Sequence, residues 1–179
     1  MKKAVTLGIA LIASTSLLAA CGNSKSSSSD SSSTVKKTAT PKYYYKNGTV
    51  KIHDLKVKIT KTQVIQVGDK GNEYGEKPVL AIWYDTTNYT DKEIDPISAW
   101  MAVATKVVQD NNKNSENTLE VGSLPDDAFL DSQTENIKKN GTVSNAVAYE
   151  LDDTTTPVKI TFSQGMDGKT LGTQTYNIK

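Results

Sequence analysis

The sequence predicts an all-β domain over residues 43–179, an antiparallel sandwich of about seven to nine short strands. Three observations predict it. Apolar and polar residues alternate through most of this stretch, turn residues punctuate it at short intervals, and no long helical periodicity intervenes.

In chain order, Tyr43-Tyr44-Tyr45 opens the domain as a first edge strand that turns at Asn47-Gly48 into Thr49-Val50. Asn-Gly is the favoured two-residue hairpin turn, because both residues tolerate positive φ. Asn140-Gly141, also followed by Thr-Val, reads the same way. Leu55, Val57 and Ile59 alternate with Lys56, Lys58 and Thr60, the period of a half-buried strand. Val79 to Asn88 is a fuller apolar run, as expected of a central strand covered on both faces. Residues 100–108 (WMAVATKVV) resemble it, although their Ala and Met content leaves a helix open. A short helix or turn is expected around residues 126–130. Val147, Tyr149 and Leu151 line one face of a further strand, Val158, Ile160 and Phe162 another, and Tyr176 and Ile178 suggest the last. Trp83 and Trp100 are the expected core anchors.

The segment before the domain has a different character. Lys2 and Lys3 precede an apolar stretch of residues 4–18, too short and too rich in Ala, Ser and Thr for a permanent membrane span. It ends in Leu18-Ala19-Ala20-Cys21, which resembles the bacterial lipobox: an aliphatic residue, two small residues, then Cys. The expectation is a signal peptide over residues 1–20, cut before Cys21. The Cys21 thiol would carry a diacylglycerol thioether with palmitate-type chains, holding the protein on the outer face of the cytoplasmic membrane. Two or more acyl chains anchor stably where one is marginal. Residues 21–42 then read as the lipidated cysteine plus a disordered serine-rich tether, with an r.m.s. reach of about 25 Å.

Composition excludes several classes. Cys21 is the only cysteine, so its acylation leaves no thiol for a disulfide, redox chemistry or nucleophilic catalysis. All 21 basic residues are Lys, and the absence of Arg argues against nucleic-acid recognition. From Tyr43 onward, 15 Lys stand against 19 Asp and Glu, a net of −4, whereas the tether is basic. A basic tether suits an anionic membrane and wall.

One order of features carries a family resemblance. The early strand pair is followed by Val79-Leu80-Ala81-Ile82-Trp83-Tyr84, a Pro96 to Trp100 segment and Gln109-Asp110-Asn111. Then Asn136-Ile137-Lys138-Lys139-Asn140-Gly141 leads into Ala148-Tyr149-Glu150-Leu151-Asp152-Asp153. Behind a lipobox and polar tether, this order resembles a family of immunoglobulin-like domains of unknown function on lipoproteins of low-GC Gram-positive bacteria. The resemblance implies an immunoglobulin-like sandwich, a surface location and an interaction role. It brings no catalytic residues.

Candidate chemistry is sparse. The single histidine, His53, adjoins Asp54, but neighbours on a strand point to opposite faces, so no dyad is expected. Asp110-Asn111-Asn112-Lys113-Asn114 places oxygen ligands at alternate positions, as a helix-loop-helix calcium loop begins. Ser115 stands where that loop requires Gly, however, and Val121 where it requires Glu. Asp110, Asn112, Asn114, Asp126 and Asp127 are therefore weak Ca²⁺ candidates, and Asp91, Glu93 and Asp95 form a similar loop. No cofactor is implied. Tyr43, Tyr44 and Tyr45 are the candidate binding surface, since tyrosine offers rigid amphipathic contact area. The expected function is a non-catalytic, lipid-anchored binding domain whose partner is an envelope protein, a wall polymer or a host surface. The alternatives are a small envelope enzyme or accessory subunit using Asp126 and Asp127, and an extracytoplasmic small-ligand or Ca²⁺-binding protein.

Overall fold

The computed structural model describes residues 42–179; the expected signal peptide, the lipobox with Cys21 and residues 22–41 of the tether lie outside the described residues. Two antiparallel sheets face each other. The first has the order β1-β2-β3-β4-β7, built from Tyr44–Lys46, Thr49–Lys51, Leu55–Ile65, Val79–Asn88 and Thr142–Glu150. The second has the order β6-β5-β8-β9, built from Asn117–Thr118, Ala104–Gln109, Val158–Ser163 and Thr170–Tyr176. These nine strands make the all-β sandwich expected from the alternation.

Asn47-Gly48 makes the expected tight turn between β1 and β2, with φ of 49° and 69° at its two residues. Asn140-Gly141 does not form a hairpin. Asn140 has φ 62°, but Gly141 is not in the left-handed region, and its N–H closes a turn onto Lys138 O at 2.7 Å. The chain instead comes alongside the end of β4, where Asn140 N–H donates to Asn88 O and Asn88 N–H to Gly141 O. The local Asn-Gly signal recurs, but no strand precedes the second copy to pair across it.

Strand β3 keeps Leu55 and Val57 on the core side until a bulge between Ile59 and Lys61 shifts its register against β4. The extra residue inverts the alternation, so Val64 faces the core and Ile65 the outer surface. Strand β4 is buried on both faces, as its sequence suggested. Leu80, Ile82 and Tyr84 enter the main core, while Val79 and Ala81 join Ile65 and Ala148 in a second cluster on the outside of the first sheet. The loop after β3 reaches this outer cluster, with Asn72 Nδ2 donating to Ile65 O and Lys77 O.

Trp83 is not a core anchor. It follows Val79 and Ala81 on the outer face, half-buried, with the Lys61 ammonium 4.1 Å from its ring centroid. Trp100 is one, at 2 % exposure. It lies on a helix rather than a strand: α1, Pro96–Val103, feeds directly into β5. Asp95 Oδ1 caps it by accepting from Ser98 N–H at 2.8 Å, and Pro96 occupies the first turn, where its missing N–H costs nothing. Ala99, Trp100 and Val103 form the buried face. The short helix or turn expected near residue 126 is a 3₁₀ turn, Asp127–Phe129.

Aromatic contacts run through the core. Tyr45 stacks on Phe162 at 4.4 Å, Phe162 meets the edge of Trp100 at 6.2 Å, and Trp100 tilts against Tyr84 at 4.7 Å. Cutting Trp100 back to Ala would cost about 3–5 kcal/mol by opening a cavity between the sheets.

Candidate functional site

One stretch of chain joins the two sheets along their neighbouring edges. Asn117 and Thr118 pair with Gln109 and Val108 on β5, and Leu119 N–H donates to Val107 O. The chain then crosses to β7, where Glu150 N–H donates to Glu120 O, Val121 bridges Tyr149, and Gly122 N–H donates to Ala148 O. Past Gly122 it leaves the edge. Residues of β7 before Ala148 have no strand neighbour on that side among the described residues.

A cleft of about 110 Å³ opens at this point, between α1 and the edge of β7. Tyr84, Trp100, Ala146 and Tyr149 line it, with Ile97, Met101 and Val121 around them. A shallower depression of about 410 Å³ continues over β5 through Leu119 to Met166. Met101, Val121 and Met166 are exposed at 59 %, 63 % and 75 %, unusual for apolar side chains near one opening.

The polar groups at the cleft already have partners. Trp100 Nε1 donates to Tyr149 Oη at 2.7 Å, Tyr84 Oη donates to Pro96 O at 3.1 Å, and Asn145 Oδ1 accepts from Ala146 N–H at 2.8 Å. Burial pushes the Tyr84 and Tyr149 phenols above their usual range. What the cleft offers a ligand is apolar contact and a strand edge.

The three consecutive tyrosines separate. Tyr45 turns inward, opposite buried Val50 in the β1–β2 ladder, where it stacks on Phe162 and its hydroxyl donates to Gln174 Oε1 at 3.0 Å. Its ring packs against the core while part of it stays exposed, so the surface read from the triplet rests mainly on Tyr43 and Tyr44. Those two are half-buried beside Lys51, His53 and Tyr89. Strand alternation is the reason: Tyr44 and Tyr45 must face opposite sides.

The carboxylates scatter. Asp126 Oδ2 accepts from Trp83 Nε1 at 2.9 Å, and its Oδ1 accepts from Ala128 N–H as the cap of the 3₁₀ turn that Asp127 begins. Asn112 Oδ1 takes Asn114 N–H, while Asp110 lies exposed just beyond β5. Asp91 pairs with Lys139 and Asp95 caps α1. Among the described residues, no three of His, Cys, Asp and Glu come close enough together to hold a metal ion. His53 and Asp54 do meet, at 2.6 Å, because they lie in the bend between β2 and β3 rather than on a strand. The other oxygen of Asp54 takes Lys92 at 2.8 Å, and these two contacts, that of Lys92 foremost, hold its carboxyl below the usual range.

Sequence reasoning missed the cleft. Its walls come from residues 84, 97–101, 121–124, 133 and 146–149, and no pattern within any one of them signals the others. The usable hint was local: Met101 and Val121 are apolar residues at positions that neither strand nor helix periodicity turns inward.

Comparison with known proteins bears on the fold. A model of the domain of unknown function DUF5067 matches residues 30–164. Among solved structures, the chain is similar to one described as a "putative lipoprotein" from Staphylococcus aureus subsp. aureus NCTC 8325. The TM-score is 0.63 at 20 % identity, covering 76 % of this chain and 92 % of that one. No curated protein matches the sequence.

Proposed function

The chain belongs to the DUF5067 family, a domain of unknown function, and on that footing we propose a lipid-anchored, non-catalytic binding domain on the outer face of the bacterial cytoplasmic membrane. Its cleft beside α1 takes an extended apolar segment of another envelope protein. The observation that carries this reading is the exposure of Met101 and Val121 at an opening whose polar groups are internally satisfied, with exposed Met166 on the adjoining depression. Methionine side chains adapt to varied apolar surfaces. The edge of β7 supplies the complementary element: past residues 120–122 it has no strand neighbour among the described residues, and with Ala146 N–H taken by Asn145 Oδ1 it offers an extended segment its carbonyl oxygens. Leu18-Ala19-Ala20-Cys21 supports the anchor, and so does the description of the similar staphylococcal protein as a "putative lipoprotein".

Two experiments test the reading. Cys21→Ser should leave an unprocessed precursor or release the protein from the membrane; tight retention of a processed, unlipidated chain would overturn the anchor. For the binding role, a photo-crosslinker replaces Met101 in the anchored protein in living cells, with Lys58 on the exposed outside of β3 as the control position. A discrete protein adduct is expected at Met101 alone, and a second change, Val121→Glu, should abolish it. Equal adducts from both positions, or insensitivity to Val121→Glu, would sink the cleft as a binding site.

A further inference from the structure

At the end of the domain where the tether joins, Tyr43 and Tyr44 form a ridge between two shallow clefts. One, of about 470 Å³, is lined by Lys42, Lys51, His53 and Tyr89 together with the ridge. The other, of about 580 Å³, shares Lys42 and the two tyrosines and adds part of Tyr45 with Gln164, Lys169, Thr170 and Leu171. No carboxylate lines either cleft. That is notable in a domain carrying 15 Lys against 19 Asp and Glu from Tyr43 onward. Asp54, next in sequence to His53, is not among the lining residues and already has His53 and Lys92 as partners. Three lysines therefore line two adjoining depressions with no acid among the lining residues.

The rings are placed among these charges. Lys42 Nζ stands 5.2 Å from the Tyr43 ring centroid and Lys51 Nζ 5.1 Å from that of Tyr89. At this separation each contact is loose and leaves the ammonium free to turn toward an anion. Aromatic faces beside cations in a concave setting suit a ligand whose pyranose rings lay their C–H faces on the aromatics and carry negative charge. Two clefts joined across one ridge suit a chain of such units better than a single one.

We propose that the Tyr43–Tyr44 ridge, flanked by Lys42, Lys51 and Lys169, binds an anionic polysaccharide. This surface is distinct from the apolar cleft and does not depend on it. An anionic bilayer offers the same charge, but insertion calls for protruding apolar side chains. The exposed large hydrophobic residues among those described are Val67, Tyr74, Met101, Val121, Leu130 and Met166, none of which lines these clefts.

The test titrates the full mature chain, from Cys21 onward in neutral detergent, with polygalacturonate. The comparison ligands are fully methyl-esterified polygalacturonate, polyglutamate and phosphatidylglycerol vesicles. Polygalacturonate should bind, more weakly as salt rises. The ester and polyglutamate should each bind at least about tenfold more weakly, since one lacks the charge and the other the rings. Lys51→Ala and Tyr44→Ala should each weaken polygalacturonate binding by about fivefold to tenfold. Lys51→Ala and Lys169→Ala leave the core untouched, so they report on the surface even if Tyr44→Ala loosens β1. No binding of polygalacturonate, equal binding of polyglutamate, binding of vesicles alone, or indifference to both lysine changes would each overturn the proposal.

Discussion

Trp83 and Asp126 are joined across 43 positions of sequence by one hydrogen bond, Nε1 to Oδ2 at 2.9 Å, on the outside of the first sheet. The same carboxylate caps the 3₁₀ turn that follows it, so one side chain ties that turn to strand β4. Asp126→Ala removes both contacts. It should lower stability by about 1–2 kcal/mol in chemical denaturation and shift Trp83 fluorescence toward that of a solvated indole. An unchanged midpoint and spectrum would show that the turn holds without them.

Acid should weaken the protein partly through Asp153. Its Oδ1 accepts from Thr156 N–H at 2.6 Å and Thr155 N–H at 2.8 Å, and its Oδ2 from Asn111 Nδ2 at 2.9 Å. The Thr156 backbone bond is the largest of these influences, and together they hold the carboxyl well below the usual range. A carboxyl with a depressed folded pKa stabilises fully above its unfolded value, near about 4, and loses that contribution as pH falls through the folded value. Asp153→Asn should flatten the acid side of a stability-against-pH curve. Superimposable curves for the two proteins would count against this linkage.

Tyr149→Phe should be costly although it removes a single oxygen. The Trp100 indole N–H it serves is buried, and losing the acceptor leaves that donor unpaired, at about 1–3 kcal/mol. Urea denaturation measures it. A cost near zero would mean that the indole finds another acceptor when Tyr149 Oη is absent.

Gly48 and Gly141 follow asparagine in the same way but should respond differently to alanine. At Gly48 a Cβ has room, 3.7 Å from Ile59, and the penalty is backbone strain at φ 69°, about 1 kcal/mol. At Gly141 the new Cβ would lie 2.8 Å from Lys138 O, inside the turn that holds the chain against Asn88. The expected loss there is larger, about 2–3 kcal/mol. Thermal melts of the two variants rank them, and the reverse order would refute the steric reading.

Thr86 offers a gain. Its Oγ1 is buried and meets no hydrogen-bond partner among the described residues, opposite Val57 across the β3–β4 ladder. Thr86→Val keeps the shape and removes the unsatisfied hydroxyl, for a gain of about 1 kcal/mol. A drop in melting temperature would argue that the hydroxyl has a role in the folded protein.

Periodicity was a good guide to the fold wherever one strand stayed in one register. It failed at Thr60, where a single extra residue inverts the faces of β3, and at Trp83, whose side of the sheet depends on the pairing of β4 with its neighbours. Helix α1 was readable from Asp95-Pro96, a cap followed by a first-turn proline, more clearly than from the apolar run after it. The immunoglobulin-like domain of unknown function suggested by the order of motifs agrees with the family match and the two-sheet fold. Of the expected binding surface, Tyr43 and Tyr44 lie in front of the ladder, while Tyr45, on the opposite side of β1 from Tyr44, packs its ring on Phe162. The cleft beside α1 exists only once five separate parts of the chain are folded together.

The stacking of Tyr45 on Phe162 has a mechanical side. Any pull transmitted through the N-terminal segment enters the domain at β1, an edge strand held to β2 by three residue pairs. Loaded from its end, so short a ladder peels open pair by pair. The Tyr45 ring, clamped against a strand of the opposite sheet, diverts that load into the body of the sandwich. It acts as the rivet that fastens the first strand of the domain to the sheet behind it.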